Sequence, residues 1–289
     1  MSSREINKRR TAELKILRLN RTYAVLSNIN RLIARERSKQ RIFEESCRIA
    51  VEHGKLRLCW IGLVDETANI VKPVACAGAI DGYLKHLQIA LSDAQEGKGP
   101  TGTAVRDARN VYCSDIEHDE RMLPWKEKAL TLGLKSMAVF PLQAAAKVIG
   151  TINFYANEVN YFGEEERELY NELVKDISFA LEMLENEESL RNTHAFNEML
   201  LQTIPFGMDI VDERGTVLFM NTAMKNIFGR DDAGQLCWSL SKNGKKHCLH
   251  CPLQKGIEIS RIDILESMNA LDGRIFQIHL IGIMFRGKK

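Results

Sequence analysis

The chain of 289 residues lacks the apolar core of a secretory signal at its N-terminus, and no run approaches the ~18 apolar residues of a membrane span. A cytoplasmic protein is therefore expected. Neither charge dominates: 40 Lys+Arg stand against 38 Asp+Glu. The balance is uneven, however. Residues 1–41 hold 12 Lys/Arg and 3 Asp/Glu, so they carry +9, and the remainder carries −7. A basic leading segment suits a nucleic-acid or anionic-lipid contact, and it equally suits the solvated face of a helix. The seven cysteines are an odd number, mostly scattered, which fits reduced thiols better than a disulfide framework.

Breakers are missing from Glu13 to Arg37, which contains neither Gly nor Pro. Leu14, Leu17, Val25, Ile29, Leu32 and Ile33 recur there at steps of mostly three and four, predicting a long amphipathic helix. "RIFEESCRIAVEHG" predicts a second, stopped at Gly54. The pattern then shifts to short apolar runs. "LRLCWIGLVDE" and "NIVKPVACAG" read as the arms of a hairpin or meander, and "VYCSDI", "SMAVFPLQ" and "KVIGTINFYAN" as further strands. "PWKEKALTLG" predicts a helix closed by Gly133. "GEEERELYNELVKDISFALEMLENEESL" predicts a long helix with Leu173, Ile177, Ala180 and Leu184 at heptad-like spacing. The sum is an α+β domain, an antiparallel sheet flanked by helices. Beyond Pro205, "FGMDIVDERGTVLFMN" reads as strand, turn, strand, and "RIDILESMNALDGRIFQIHLIGIMF" as two more strands about an Asp-Gly turn.

Two stretches invite chemistry. "GKGPTGTA" is a glycine-rich loop before a helix, able to cradle an anion or simply to turn sharply beside a pocket. It is not a P-loop, because G-x-x-x-x-G-K-[ST] is not satisfied. "KNGKKHCLHCPLQ" places Cys248 and Cys251 two residues apart, with His247 and His250 beside them and Cys237 upstream. Pro252 stands where covalent haem attachment would need histidine. Zinc on Cys237, Cys248, Cys251 and His247 or His250 has the right ligand types. An iron–sulfur cluster, a redox dithiol, or plain structural cysteines fit the same residues. A noncovalent haem on His247, His250 or His86 is a weaker fit.

Taken together, "GKGPTGTAVRDARNVYCSDIEHDERMLPWKEKALTLGLKSMAVFPL" and "VIGTINFYANEVNYFGEEERELYNELVKDISFALE" resemble a GAF domain of the bacterial signalling type. "LLQTIPFGMDIVDERGTVLFMNTAMKNIFG" resembles the opening of a PAS domain, and the C-x10-C-x2-C-P segment is similar to one found in a subset of such domains. The resemblance implies a basic helical extension over 1–19, a GAF domain over 20–185, a connector helix over 186–202 and a PAS domain over 203–289. It further implies a sensor input module that binds a small molecule or cofactor and relays a change through a long signalling helix. Trp60, Cys76, Tyr83, Cys113, Asp115 and Trp125 are the candidates to line a GAF pocket, although large aromatics line cores as readily. The cyclic-nucleotide signature of the family is poorly met.

Output signatures are wanting too. His194 lacks the residues that surround a kinase phosphoacceptor, and neither a Gly-Gly-Asp-Glu-Phe nor a Glu-Ala-Leu motif is present. A kinase or cyclase partner is therefore expected downstream. The PAS sheet is expected to lack its last strand, leaving Ile275 to Phe285 without the neighbour that strand would supply, as in a truncated sensor. A parallel homodimer is predicted through the row from Leu173 to Leu184 and the stripe at 14–33. The rival class is a small redox enzyme, since some GAF-like domains reduce methionine sulfoxide; Cys59, Cys76 and Cys113 would then serve. A nucleic-acid binder acting through residues 1–41 is the third reading.

Overall fold

The computed structural model describes residues 3–79, 82–84, 89–91, 97–237, 251–256, 258–260, 262–268 and 275–284. The chain divides into two compact units, Met1–Glu188 and Ser189–Lys289. Among the described residues, no helix is long and apolar enough to cross a membrane.

The first unit is built on β1 (Leu58–Asp65), β2 (Ile70–Gly78), β3 (Ile89–Ala90), β4 (Val111–Cys113), β5 (Ser136–Ala144) and β6 (Lys147–Ala156). They form one sheet in the order β3-β2-β1-β6-β5-β4, and every neighbouring pair is antiparallel. Both faces are covered, which is why β1 and β5 read as nearly continuous apolar runs rather than alternating ones. On one face lie α1 (Ser3–Ile33), α2 (Lys39–Glu52) and the start of α5 (Glu164–Thr203). Their Val25, Ile29, Phe43, Cys47, Tyr170 and Ile177 pack on Cys59, Ile61, Phe140 and Phe154. On the other face lie α3 (Pro100–Asp107) and α4 (Lys126–Thr131). There Ala104, Met122 and Ala129 pack on Leu58, Trp60, Met137 and Tyr155. The α+β expectation therefore holds for this unit.

Ser38 caps α2, its side chain accepting from Arg41 N at 3.4 Å. Two expectations need correction. A single helix runs from Ser3 to Ile33, but the apolar stripe at 14–33 is only half core. Val25 and Ile29 are buried, but Leu14 and Leu17 are exposed, because the sheet meets only the second half of α1. The row Leu173, Ile177, Ala180 and Leu184 is not an outward seam. Leu173 and Ile177 are buried in the unit's own core and Leu184 packs against it. The outward apolar residues on this part of α5 are Phe179 and Met183. A heptad spacing says that residues share a face; it does not say which neighbour covers that face.

Basic residues of α1 meet the acidic start of α5 and the segment before it. Lys15 Nζ lies 2.7 Å from Glu165, and Arg18 pairs with Glu158. Part of the N-terminal charge is thus neutralised within the fold. Asn30 of α1 donates to Asp176 at 3.0 Å, and Ser178 Oγ accepts from Gln143 N of β5 at 3.1 Å, so α5 is tied to α1 and to the sheet.

In the second unit, β7 (Asp209–Val211) and β8 (Val217–Met220) form an antiparallel pair about a turn in which Gly215 has φ +85°. α6 (Thr222–Phe228) follows, capped by Asn221 and closed by Gly229 at φ +71°. α7 (Pro252–Lys255) is a single turn. β9 (Ile262–Met268) and β10 (Ile275–Ile281) form a second antiparallel pair. The four expected strands exist, but among the described residues they make two separate ladders rather than one sheet. The segment from Ile275 to Ile281 pairs with β9, as the two-strand reading of this stretch expected, and among the described residues no further strand joins its other edge. The Asp-Gly turn between them lies outside the described residues.

Candidate functional site

The second face of the first unit's sheet carries a small, partly open site. It is lined by Tyr83, Ile89, Pro100, Thr101, Gly102, Met122, Trp125, Met137 and Tyr155 and leaves about 10 Å³ free, room for about one water. Strand alternation puts Trp60 of β1 and Tyr155 of β6 on this face, while Cys59 and Phe154 point to the other. The site's upper wall is the first turn of α3. Gly102 sits so close to the preceding loop that a Cβ there would lie 2.2 Å from the Gly97 carbonyl oxygen. Gly99 lies under the Trp125 ring, where a Cβ would come within 2.4 Å of the indole. The glycines of "GKGPTG" thus let a chain reversal and an aromatic ring approach the backbone.

A polar ladder runs under this wall. Asn153 is fully buried; its Oδ1 accepts from Thr101 Oγ1 at 2.8 Å, and its Nδ2 donates to Thr151 Oγ1 at 3.0 Å and to the Trp60 carbonyl at 3.4 Å. Above it the accounting fails to close. The Trp60 indole N–H and the Tyr83 hydroxyl are buried and make no hydrogen bond of ordinary geometry, the Tyr155 hydroxyl being the acceptor they approach. The Tyr83 and Tyr155 rings meet edge to face at 6.3 Å. Burial pushes the Tyr155 phenol up to about 12, with Trp60 and Tyr83 acting against it. Burial likewise holds the Tyr83 phenol well above its ordinary value. All three groups are neutral hydrogen-bonding groups at neutral pH.

Of the six pocket candidates, Tyr83 and Trp125 line the cavity, and Trp60 is buried in the cluster around it without lining it. Cys113 is buried in the same cluster but does not line the cavity. Its thiol is pushed up, by burial first and then by Asp119, whose own carboxyl Arg121 holds below the usual range. Cys76 is exposed. Asp115 is half-exposed and pairs with His118 Nδ1 at 2.8 Å, which leads the causes lowering its pKa. None of these three lines the cavity: Cys76, paired with Trp60, is on the same face of the sheet but is exposed, and Asp115 lies beyond the end of β4. Tyr155, Thr101, Met122 and Met137 line it without having been anticipated. One signal existed, since Thr151, Asn153 and Tyr155 alternate as polar or phenolic residues inside an otherwise apolar strand.

Of the sulfur segment, Cys237 is half-buried and Cys251 buried. Cys248, His247 and His250 lie outside the described residues, as does His86. Among the described residues, no group of three His, Cys, Asp or Glu is placed to hold a metal.

A family model described as GAF domain matches residues 36–182. No curated protein matches the sequence. Among solved structures, the chain is similar to the free methionine-R-sulfoxide reductase from Neisseria meningitidis, at 18% identity and a TM-score of 0.49, covering 57% of this chain and 91% of that one. It is similar to the GAF domain of a phosphoenolpyruvate-protein phosphotransferase from Coxiella burnetii, at 13% identity and a TM-score of 0.49, covering 59% and 98%. It is also similar to a domain of a two-component sensor histidine kinase protein from Sinorhizobium meliloti, at 16% identity and a TM-score of 0.41, covering 53% and 96%.

Proposed function

Because the chain belongs to the GAF domain family, we propose that it is a sensor input module whose first unit binds a small molecule on the second face of its sheet. The observation that carries this reading is the cavity lined by Tyr83 and Tyr155, where the buried Tyr83 O–H and the Trp60 N–H behind it reach no acceptor in good geometry. Orphaned buried donors cost about 1–3 kcal/mol each, a cost that a ligand acceptor would relieve. A thermal-shift screen of small metabolites tests it. A ligand at a hundred times its Kd should stabilise the unit by about 2.7 kcal/mol. A broad screen without any shift would remove the reading.

The relay proposed is α5, a single helix of 40 residues that belongs to both units. Output would lie in a kinase or cyclase partner, and the second unit would be a PAS-like module. In support of the latter are the β7–β8 turn and the Asn221 cap. A parallel homodimer would use the exposed apolar faces of α1 and α5. Phe179→Lys should therefore dissociate the dimer in light scattering without lowering the unit's melting temperature, whereas Leu184→Lys should lower it. A Phe179→Lys protein of unchanged mass counts against that seam.

Binding is favoured over thiol chemistry. Cys59 and Cys113 lie in the clusters on opposite faces of the sheet, and burial raises both thiols, so neither readily forms the nucleophilic thiolate. Of Cys47, Cys59, Cys76 and Cys113, only Cys76 should be alkylated by iodoacetamide in the folded protein. Rapid native labelling of Cys113 would revive the reductase reading. For the second unit, zinc on Cys237, Cys248, Cys251 and His247 is proposed, with an iron–sulfur cluster as its rival. Elemental analysis separates them, and Cys251→Ser should release the metal. Metal-free protein ends both.

A further inference from the structure

We propose that the cavity is a plugged slot for a planar, uncharged molecule bearing a hydrogen-bond acceptor, and that the Trp125 ring is the plug which that molecule displaces. The proposal rests on the small-molecule reading above and gives its chemistry.

The plug is legible in the packing. The Trp125 ring lies against the bare Cα of Gly99, where a Cβ would come within 2.4 and 2.6 Å of Cζ3 and Cη2. Trp125 is only half-buried and stands at the start of α4, a helix of six residues without a side-chain cap. It is thus held less firmly than Trp60, which is fully buried in the sheet. With the ring in place the free space is about 10 Å³, too little for any ligand larger than about one water. With the ring withdrawn, a flat space of indole size opens between the Gly99–Gly102 turn and the aromatic floor. A planar molecule fits that shape.

Polarity follows from the donors. Trp60 can only donate, so its poorly satisfied N–H calls for an acceptor, and the Tyr83 hydroxyl, which lines the cavity, can donate to the same ligand atom. The described lining residues carry no formal charge, so they offer no counter-charge to a charged ligand, whose loss of hydration is a heavy cost in an apolar site.

Four probes of similar shape test the class on the whole protein: acetophenone, ethylbenzene, benzoate and benzylammonium, titrated by their own NMR signals. Acetophenone should bind about tenfold more tightly than ethylbenzene, the effect of satisfying buried donors, and both ions should bind more weakly still. Tyr83→Phe should erase the advantage of acetophenone while leaving ethylbenzene unmoved. Trp60→Phe should act in the same direction. Trp125→Ala should tighten acetophenone binding about tenfold, because the closed state no longer competes. Gly99→Ala, at an ordinary backbone φ of −65°, should tighten it likewise by pushing the ring away. Tightest binding by benzoate or benzylammonium overturns the uncharged class. Weaker binding by both Trp125→Ala and Gly99→Ala overturns the plug. Either result leaves a small-molecule site standing. If no probe binds any variant while the metabolite screen finds a ligand, the proposed chemistry fails alone; if the screen is also blank, the binding reading fails with it.

Discussion

Phe140→Ala should lower the stability of the first unit by about 3–5 kcal/mol, the cost of truncating a fully buried phenylalanine. Phe140 stands at the middle of β5 with none of its surface exposed. Its ring centroid lies 5.8 Å from Tyr112 and 5.9 Å from Phe154, both near perpendicular, and 6.3 Å from Tyr170. Truncation removes apolar burial, leaves a void walled by rigid rings, and deletes edge-to-face contacts of about 0.5–1.5 kcal/mol each. Rings on neighbouring strands and on α5 cannot collapse into the space without moving the backbone, so the upper part of the range is expected. Urea unfolding of the first unit gives the measurement: the midpoint should fall with little change in slope. Leu123→Ala, at an exposed site, serves as the control and should change stability by less than about 0.5 kcal/mol. A loss below about 1 kcal/mol for Phe140→Ala would mean that the aromatic cluster is packed differently.

Asn221→Ala should destabilise the second unit by about 2–4 kcal/mol and leave the first unit's unfolding unchanged. Asn221 is fully buried at the end of β8. Its Oδ1 accepts from Met224 N at 2.9 Å, capping α6, and from Met208 N at 2.9 Å. Its Nδ2 donates to the Phe206 carbonyl at 2.9 Å. One side chain therefore joins the exit from α5 to the start of α6. Alanine would leave two N–H groups and a carbonyl without their partner, which costs more than the loss of a surface cap. Nearby, Gln202 Oε1 of α5 accepts from Thr222 N at 2.8 Å and from its hydroxyl at 2.7 Å, a second clasp between the same elements. Asn221→Asp keeps both acceptors and loses the donor, so it should fall between the two. Hydrogen exchange at Met208 and Met224 reads the effect locally. Unchanged protection of both amides in Asn221→Ala would show that the corner is held by other contacts.

How much of this was legible beforehand depends on the range of the interaction involved. The strands β1, β2, β5 and β6, the long helix α5 and the turn before β8 follow from local periodicity and from glycine in turns, and they stand where the sequence placed them. The two-residue β3 did not, because so short a strand has no period to read. The candidate site was half legible. Trp60, Tyr83 and Trp125 could be nominated as large aromatics near loops. Tyr155 and Thr101 became its neighbours only when β6 paired with β1 and α3 folded back on the sheet.

The facing of each element was the part that needed the tertiary structure. By itself the sequence determined that Leu173, Ile177 and Leu184 lie together on one side of a helix, and that Cys59 and Trp60 point to opposite sides of a strand. Only the packing decided that the first row faces the protein's own core, leaving Phe179 and Met183 outward, and that Trp60 rather than Cys59 lies on the cavity's side of the sheet. The physical reason is that backbone geometry sets the relative direction of neighbouring side chains, whereas burial is assigned by whichever distant element arrives to cover them.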